Sequence, residues 1–569
     1  MHDLVIRRGR VADGLGGPLV EADVAIDGRR IATVGMVAER GREEIDADGL
    51  VVTPGFVDVH THYDGQATWD PLLTPSIWHG VTTVITGNCG VGFAPAAPDR
   101  REWLIGLMEG VEDIPGAALR EAIKWDWETV PEYLDALDRL PRALDVGAQI
   151  AHGAVRAYVM GERGAANEAP TADDLDRMAE IVRAGIAAGA VGFSTNRLPL
   201  HKAIDGRPVP GTFAEEDELF TLGRAVRSAS PSAEAVYSLI LPTATGFDRG
   251  SWPRELDWMS RLSRETGLRF TFAFGSVANL ADVERANAAG ARIVPQVGCR
   301  KQEVLIGLRT RHAFEGRPSY EALRALPIAE QARRMADPAL KARILGEEQG
   351  PGWNKLAQLI MEQPDLVFAL KAPHDQEPAP ETSLAALAAR TGRDVIDVLY
   401  DLTLERDGDN LLMWMFGGYS GSLDDSLVLL PHRDTVLGLG DGGAHCSVIC
   451  DAGYPTFLLG YWARERAGGR LPLETAIKLL TSEPAELYGL HDRGVIAPGR
   501  KADLNVIDVD RVALRAVEIV NDLPAGAKRV IQRADGYAAT VVSGQVVQRG
   551  GEDTGARPGR LVRGPQPAA

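Results

Sequence analysis

His60 and His62 flank Thr61 at the end of the apolar run Phe56–Val59. In an extended strand, residues two apart point the same way, so two imidazoles converge on one place. Imidazole is a common ligand of zinc and similar ions. Asp58 precedes the pair on the same face, and polar Tyr63, Asp64 and Gly65 follow it. Cys89 sits in a second turn, Thr86–Gly90, directly after the run Thr82–Thr86. Its flanking glycines let the backbone come close to another group, and a thiolate there could take the same ion. Asp441 ends a third run, Thr435–Gly440, and is followed by Gly442, Gly443, Ala444 and His445. A carboxylate beside an ion can touch it and accept a proton from water, whose pKa the ion moves from about 15.7 toward about 7. The same carboxylate can then hand the proton to a leaving amine. His152 closes the run Val146–Ile150, and His201 and Lys202 follow the run Ala190–Ser194. Either histidine could be a ligand, a polariser of a carbonyl or a structural hydrogen-bonder. Arg197, Lys202 and Lys371 are cations that could anchor an anionic substrate.

These residues need elements that bring them to one rim. The first fifty residues read as β: short apolar runs (Leu4–Ile6, Ala22–Ile26, Ile31–Val34) are separated by Asp-Gly turns. From about Val51 strand-like runs alternate with helical patterns. The runs are Phe56–His60, Thr82–Thr86, Val146–Ile150, Ala190–Ser194, Ala235–Ile240, Arg269–Phe274, Arg292–Gln296 and Thr435–Gly440. Eight parallel strands joined by crossover helices make an α/β chain with a (β/α)8 TIM barrel, whose sites lie at the strands' C-terminal ends. One helix is legible in detail: Thr171 is its N-cap, Asp173 and Asp174 lie in its first turn, and Leu175, Met178, Val182 and Ile186 form its apolar stripe before Gly189. Residues 298–371 interrupt the rhythm between the seventh and eighth runs and predict a lid on the active-site face. After Leu490 the chain returns to β, so both termini are expected to form one small sheet domain, with the Gly-, Pro- and Arg-rich residues 555–569 extended or frayed.

Composition narrows the classes. The 569 residues are 45% hydrophobic and 25% charged, as in ordinary globular proteins, and the formal net charge of −18 argues against nucleic acid as a partner. Four cysteines are too few for a secreted disulfide scaffold. No apolar run approaches about 18 residues, so no membrane span is expected, and the opening residues lack the apolar core of a signal peptide. A soluble cytoplasmic protein is the expectation. There is no phosphate-loop pattern, and Ser194 lacks the glycines of a nucleophile elbow. Cys446 and Cys450 read as core or surface thiols, and His79 as packed beside Trp78.

The stretch Pro54–His62 resembles the first-strand motif of the amidohydrolase superfamily, and Thr86–Gly90 is similar to the metal-binding cysteine turn of its D-aminoacylase (N-acyl-D-amino-acid deacylase) branch. His152-Gly153, Gly192–Thr195, Asp441-Gly442, Arg493–Leu504 and Thr554–Gly559 follow in matching order. The resemblance implies the barrel (residues 54–490), a small β-sandwich from both chain termini (1–53 and 491–569), and an inserted lid. It implies a zinc-dependent amidohydrolase, with one or two ions, acting on a small-molecule N-acyl amide. Carried over, His60, His62 and Cys89 are metal ligands and Asp441 is a ligand or general base; the residues' own placement adds His152 or His201 to steady the oxyanion. A homo-oligomer is compatible with this reading. The branch also places metal-binding histidines at the ends of the fifth and sixth strands, where this chain has Val236–Pro242 and Phe270–Gly275 without any. Either the ion sits nearer His60, His62 and Asp441, or His152, His201 or His445 substitutes, or no ion binds tightly. A cyclic-amide or carbamate hydrolase and a catalytically silent homologue are the competing readings.

Overall fold

The computed structural model describes residues 1–568 apart from 231, 245–247, 351–355, 372–373 and 416–418. Eight strand segments appear where the runs predict them: β1 Phe56–Asp58, β2 Val81–Thr86, β3 Asp145–Ala151, β4 Gly192–Asn196, β5 Val236–Ile240, β6 Arg269–Phe272, β7 Gln296–Val297 and β8 Val436–Leu437. β1 to β6 form consecutive parallel pairs. Single bridges Phe270–Ile293 and Ala273–Gln296 join β6 to the β7 segment, β7 pairs with β8, and Thr61–Gly442 closes the ring, all parallel. Almost every residue of these strands is buried, as expected where helices cover one face and a packed interior the other. That is why they read as apolar runs without alternation. Pro295 lacks an N–H, and β7 is regular only after it.

The helix α1, Arg101–Glu112, follows β2; α2, Ala172–Ala187, has the expected Thr171 N-cap, closed by Asp174 into a capping box. Tyr237 of β5 and Phe270 of β6 stack at 4.8 Å and meet Trp258 of the helix Trp252–Thr266, so they pack the barrel's flank.

Both chain ends build one nine-stranded sheet: strands within residues 2–54 join 504–507, 537–542, 545–549 and 552–553. A register shift between Ile6 and Gly9, with Arg8 at φ +57°, lets the first strand change partners. The sheet's two halves share an apolar cluster that includes Leu4, Ile6, Val24, Ile26, Val52, Leu504, Val506 and Val541. The strands Ala513–Leu523 and Ala527–Asp535 leave this sheet as a separate antiparallel pair. Of the two expectations for the C-terminal residues, extended and not frayed describes 560–568: Leu561 and Val562 pair with β3, and Gln566 donates its N–H to the Gly489 carbonyl.

The insertion between β7 and β8 runs past residue 371. It contains the antiparallel strands Glu303–Ile306, Val367–Ala369 and Leu412–Met415 and several short helices, over an apolar cluster of its own. Val448 and Ile449, from the loop after β8, belong to that cluster, so the insertion packs on the loop that carries Asp441. Among the described residues, no helix is long and apolar enough to cross a membrane.

Candidate metal centre

The first strand ends with His60 and His62, both buried. Ring closure places Asp441 opposite them: its N–H donates to the His60 carbonyl at 3.0 Å, and His62 N–H donates to the Gly442 carbonyl at 2.8 Å. Asp441 Oδ1 lies 3.3 Å from His60 Nε2 and 3.8 Å from His62 Nε2. Cys89 Sγ lies 3.5 Å from His60 Nε2. Its turn is pressed onto the neighbouring strands: a Cβ at Gly87 would sit 2.7 Å from the Gln149 carbonyl oxygen, and one at Gly90 2.7 Å from Asn196 N, both at positive φ. Only glycine fits there, which explains the spacing around the cysteine. Asp64 braces the same turn, accepting from Thr86 Oγ1 at 2.6 Å and Gly87 N at 3.2 Å. Burial lifts its pKa to about 6 against these hydrogen bonds.

His60, His62 and Cys89 offer donor atoms that all lie within 4.8 Å of one another. Two ligands on a tetrahedral zinc, with bonds of about 2.0–2.3 Å, lie about 3.3–3.8 Å apart. The separations among His60, His62, Cys89 and Asp441 that are given above, 3.3, 3.5 and 3.8 Å, fall in that range. The donor set of two imidazoles, a thiol and a carboxylate suits zinc. Burial, with Glu112, Asp441 and Asp64 nearby, pushes the Cys89 thiol well above its usual value; a bound ion reverses this by stabilising the thiolate. Burial, with His60, His445 and His201 adding, holds His62 well below 6.5, hence neutral and able to ligate. His60 Nδ1 meets Gln296 Oε1 of β7 at 2.8 Å, which turns Nε2 toward the centre.

Sequence reasoning missed Glu112. This carboxylate ends α1, is 1% exposed, and lies 3.4 Å from His62 Nδ1 and 3.7 Å from His445 Nε2. Burial, then Asp441 and Asp64, push its pKa well above the usual value. A signal was present: Leu104, Leu107, Met108 and Val111 mark the buried stripe of α1, and Glu112 takes the next position on it. Gln296 and Gln302 were also missed; Gln302 Nε2 donates to Asp441 Oδ2 at 3.5 Å.

The other expected residues divide. His201 is beside the centre, where burial, His445 and His60 lower its pKa to about 3; its Nδ1 meets Asn196 Nδ2 at 2.8 Å. His152 is fully buried with both ring nitrogens occupied, Nδ1 by Thr195 Oγ1 at 2.7 Å and Nε2 by Glu218 at 2.9 Å. It has no nitrogen to offer an oxyanion, which corrects the catalytic expectation. Arg197 pairs with buried Glu255 and donates to the Thr212 and Ala214 carbonyls, so it braces the β4 loop. Lys202 is exposed, and Lys371 is exposed at a cleft with Arg406 and Arg515. Among the described residues, neither is joined to His60, His62, Cys89 or Asp441 by a hydrogen bond or ion pair. Cys446 and Cys450 are buried free thiols, as expected. His79 is buried too, bonded to Thr456 and the Gln532 carbonyl.

Beside the centre is a narrow cleft lined among others by Phe274, Lys301, Gln302, Asp425, Leu439 and Tyr454. Burial lowers the pKa of Lys301, with Asp425 opposing.

The amidohydrolase family model matches residues 43–548. The chain is 27% identical to a D-aminoacylase of Alcaligenes xylosoxydans xylosoxydans, over 98% of this chain and 97% of that protein. It is 28% identical to an N-acyl-D-glutamate deacylase of the same organism, over 90% and 89%. In fold it is similar to the N-acyl-D-glutamate deacylase of Bordetella bronchiseptica solved with zinc and a phosphonate mimic of the tetrahedral intermediate: TM-score 0.63, 24% identity, 99% of each chain covered.

Proposed function

This chain belongs to the amidohydrolase family, and on that footing we propose that it hydrolyses the linear amide of an N-acyl amino acid, with the D series as first choice, using one divalent ion, zinc by preference. The observation that carries the proposal is the buried set His60, His62 and Cys89 with Asp441 at coordination spacing. The named deacylase relatives support the substrate class. β5 and β6 bring no histidine, which favours one ion over two.

A divalent ion held by these residues would acidify water and polarise an amide carbonyl. Asp441 then accepts the proton of the attacking water and returns it to the amine nitrogen as the C–N bond breaks. Gln302, donating to Asp441 Oδ2, fixes the carboxylate's orientation. His201 Nε2, the nitrogen not occupied by Asn196, is the donor we assign to the developing oxyanion. Lys301, half buried in the cleft beside Asp441, provides the cation for the substrate carboxylate.

The test pairs metal analysis with a panel of N-acetyl-D- and L-amino acids. About one equivalent of zinc and turnover of at least one N-acyl amino acid are expected. Lys301→Ala should raise KM by about 10- to 100-fold with kcat little changed, the loss of one charged hydrogen bond. No metal in either native or zinc-soaked protein would leave a silent homologue as the better reading.

A further inference from the structure

The two ligand imidazoles are oriented by different partners. His60 presents Nε2 to Cys89 and Asp441, and its Nδ1 is engaged by Gln296 Oε1 at 2.8 Å. His62 presents Nε2 to Asp441 at 3.8 Å, and its Nδ1 faces Glu112 Oε1 at 3.4 Å. His62 Nδ1 and Glu112 Oε1 are both buried and both lack a hydrogen-bond partner. One small closure would satisfy both. A metal-bound histidine ordinarily donates its other N–H to a carboxylate, carbonyl or water, and that bond sets its tautomer and angle.

Glu112 is held where such a bond requires it. His445 N–H donates to the Glu112 backbone carbonyl, and Ser447 N–H donates to Asp113 Oδ2 at 3.3 Å. The end of α1 is thereby clasped to the loop carrying Asp441. The second carboxylate oxygen, Oε2, faces His445 Nε2 at 3.7 Å. A direct ligand role fits less well: Glu112 Oε1 faces His62 Nδ1, whereas it is His62 Nε2 that faces Asp441.

We propose that Glu112 is the positioning carboxylate of the metal centre: it accepts a hydrogen bond from His62 Nδ1–H, so that His62 Nε2 carries the lone pair aimed at the ion. This rests on the metal reading above and adds a residue from a helix outside the strand ends.

Zinc affinity of wild type, Glu112→Ala and Glu112→Gln is measured by chelator competition, with stoichiometry by elemental analysis and the visible spectrum of the cobalt-substituted proteins. Glu112→Ala should weaken binding about 10- to 100-fold, the usual cost of losing an outer partner, with stoichiometry unchanged and an altered cobalt spectrum. Glu112→Gln, which still offers an acceptor oxygen, should fall between the two. Melting of the three metal-free proteins checks folding; where Glu112→Ala fails that check, the near-isosteric Glu112→Gln carries the comparison. Affinities within twofold of wild type would overturn the proposal. So would complete loss of zinc binding in the near-isosteric Glu112→Gln, which makes Glu112 a ligand. Wild-type protein that binds no zinc would defeat the underlying metal reading instead, an outcome visible before any variant is compared.

Discussion

The barrel buries charged groups at both ends and treats them oppositely. At the N-terminal end, Asp145, the first residue of β3, accepts from Arg493 at 2.8 Å, Lys501 at 3.0 Å and Arg560 N at 2.8 Å. Arg493 also reaches Asp492 and Thr83, and Asp503 takes Lys501 and Ser543 N. At the C-terminal end, His62 Nδ1, Glu112 Oε1 and Asp58 Oδ2 are buried without partners. Orphaned buried polar atoms are costly; these lie next to His60, His62 Nε2, Cys89 and Asp441, whose donor atoms are 3.3, 3.5 and 3.8 Å apart in three pairs, the spacing of ligands that share an ion. One end is closed upon itself and clamps the C-terminal segment to the barrel; at the other, the donor atoms of His60, His62 and Cys89 converge beside Asp441.

That contrast breaks if mutations at the two ends have similar effects. Asp441→Ala or His60→Ala should lower kcat by about 10²–10⁴-fold, the range for a lost general base or its neighbour. The thermal stability of the metal-free protein should fall only modestly, by about 1 kcal/mol, since His60→Ala loses the bond to Gln296 Oε1 and Asp441→Ala the long one from Gln302. Arg493→Ala should do the reverse: it leaves Asp145 buried and short of a partner, costing about 3–5 kcal/mol by denaturant unfolding, with kcat per folded molecule retained. Chelation should lower stability by about 2.7 kcal/mol relative to zinc at a hundredfold over its dissociation constant, and Cys89→Ser should shrink that difference. An equal response in Arg493→Ala and wild type is expected, since the N-terminal end takes no part.

The smallest effect is in pH. His79, just before β2, is held by burial at about 4, against an ordinary 6.5, its hydrogen bond to the Gln532 carbonyl opposing only in part. The unfolded chain therefore takes up this proton first, and stability falls as pH drops from about 6.5 and levels below about 4. Asp145 behaves differently. Burial would raise its pKa, but Lys501 and Arg493 hold it well below the usual carboxylate value. Its contribution is present above the unfolded value and is lost only in stronger acid. His79→Gln should reduce the slope of the stability curve between about pH 6.5 and 4, the share of His62 and His201 remaining, while leaving the loss below it.

Much of the centre was legible because its signals are local. His60, Cys89 and Asp441 each end an apolar run that must be a strand, and parallel strands joined by helices deliver their C-terminal ends to one rim. His152 obeyed the same logic and failed, because Glu218, on the helix Glu216–Ala229, fills its second nitrogen. Arg197 failed likewise through Glu255. These partners are 66 and 58 residues away in sequence, and no periodicity announces them. Glu112 was missed for the converse reason: a charge at a helix end reads as solvated, and only its position on an apolar stripe hinted otherwise.

The amino-acid sequence alone determined the barrel, the strand ends carrying the histidine pair, the cysteine turn and the aspartate, and the absence of histidines after β5 and β6. Short-range patterning dictates those features, since strand period, glycine sterics and helix capping act over a few residues. Tertiary structure decided which buried side chains are spent on one another and which are left facing the centre. Satisfying a buried polar atom depends on what stands within about 3 Å of it, and ring closure brought that neighbour from a distant part of the chain.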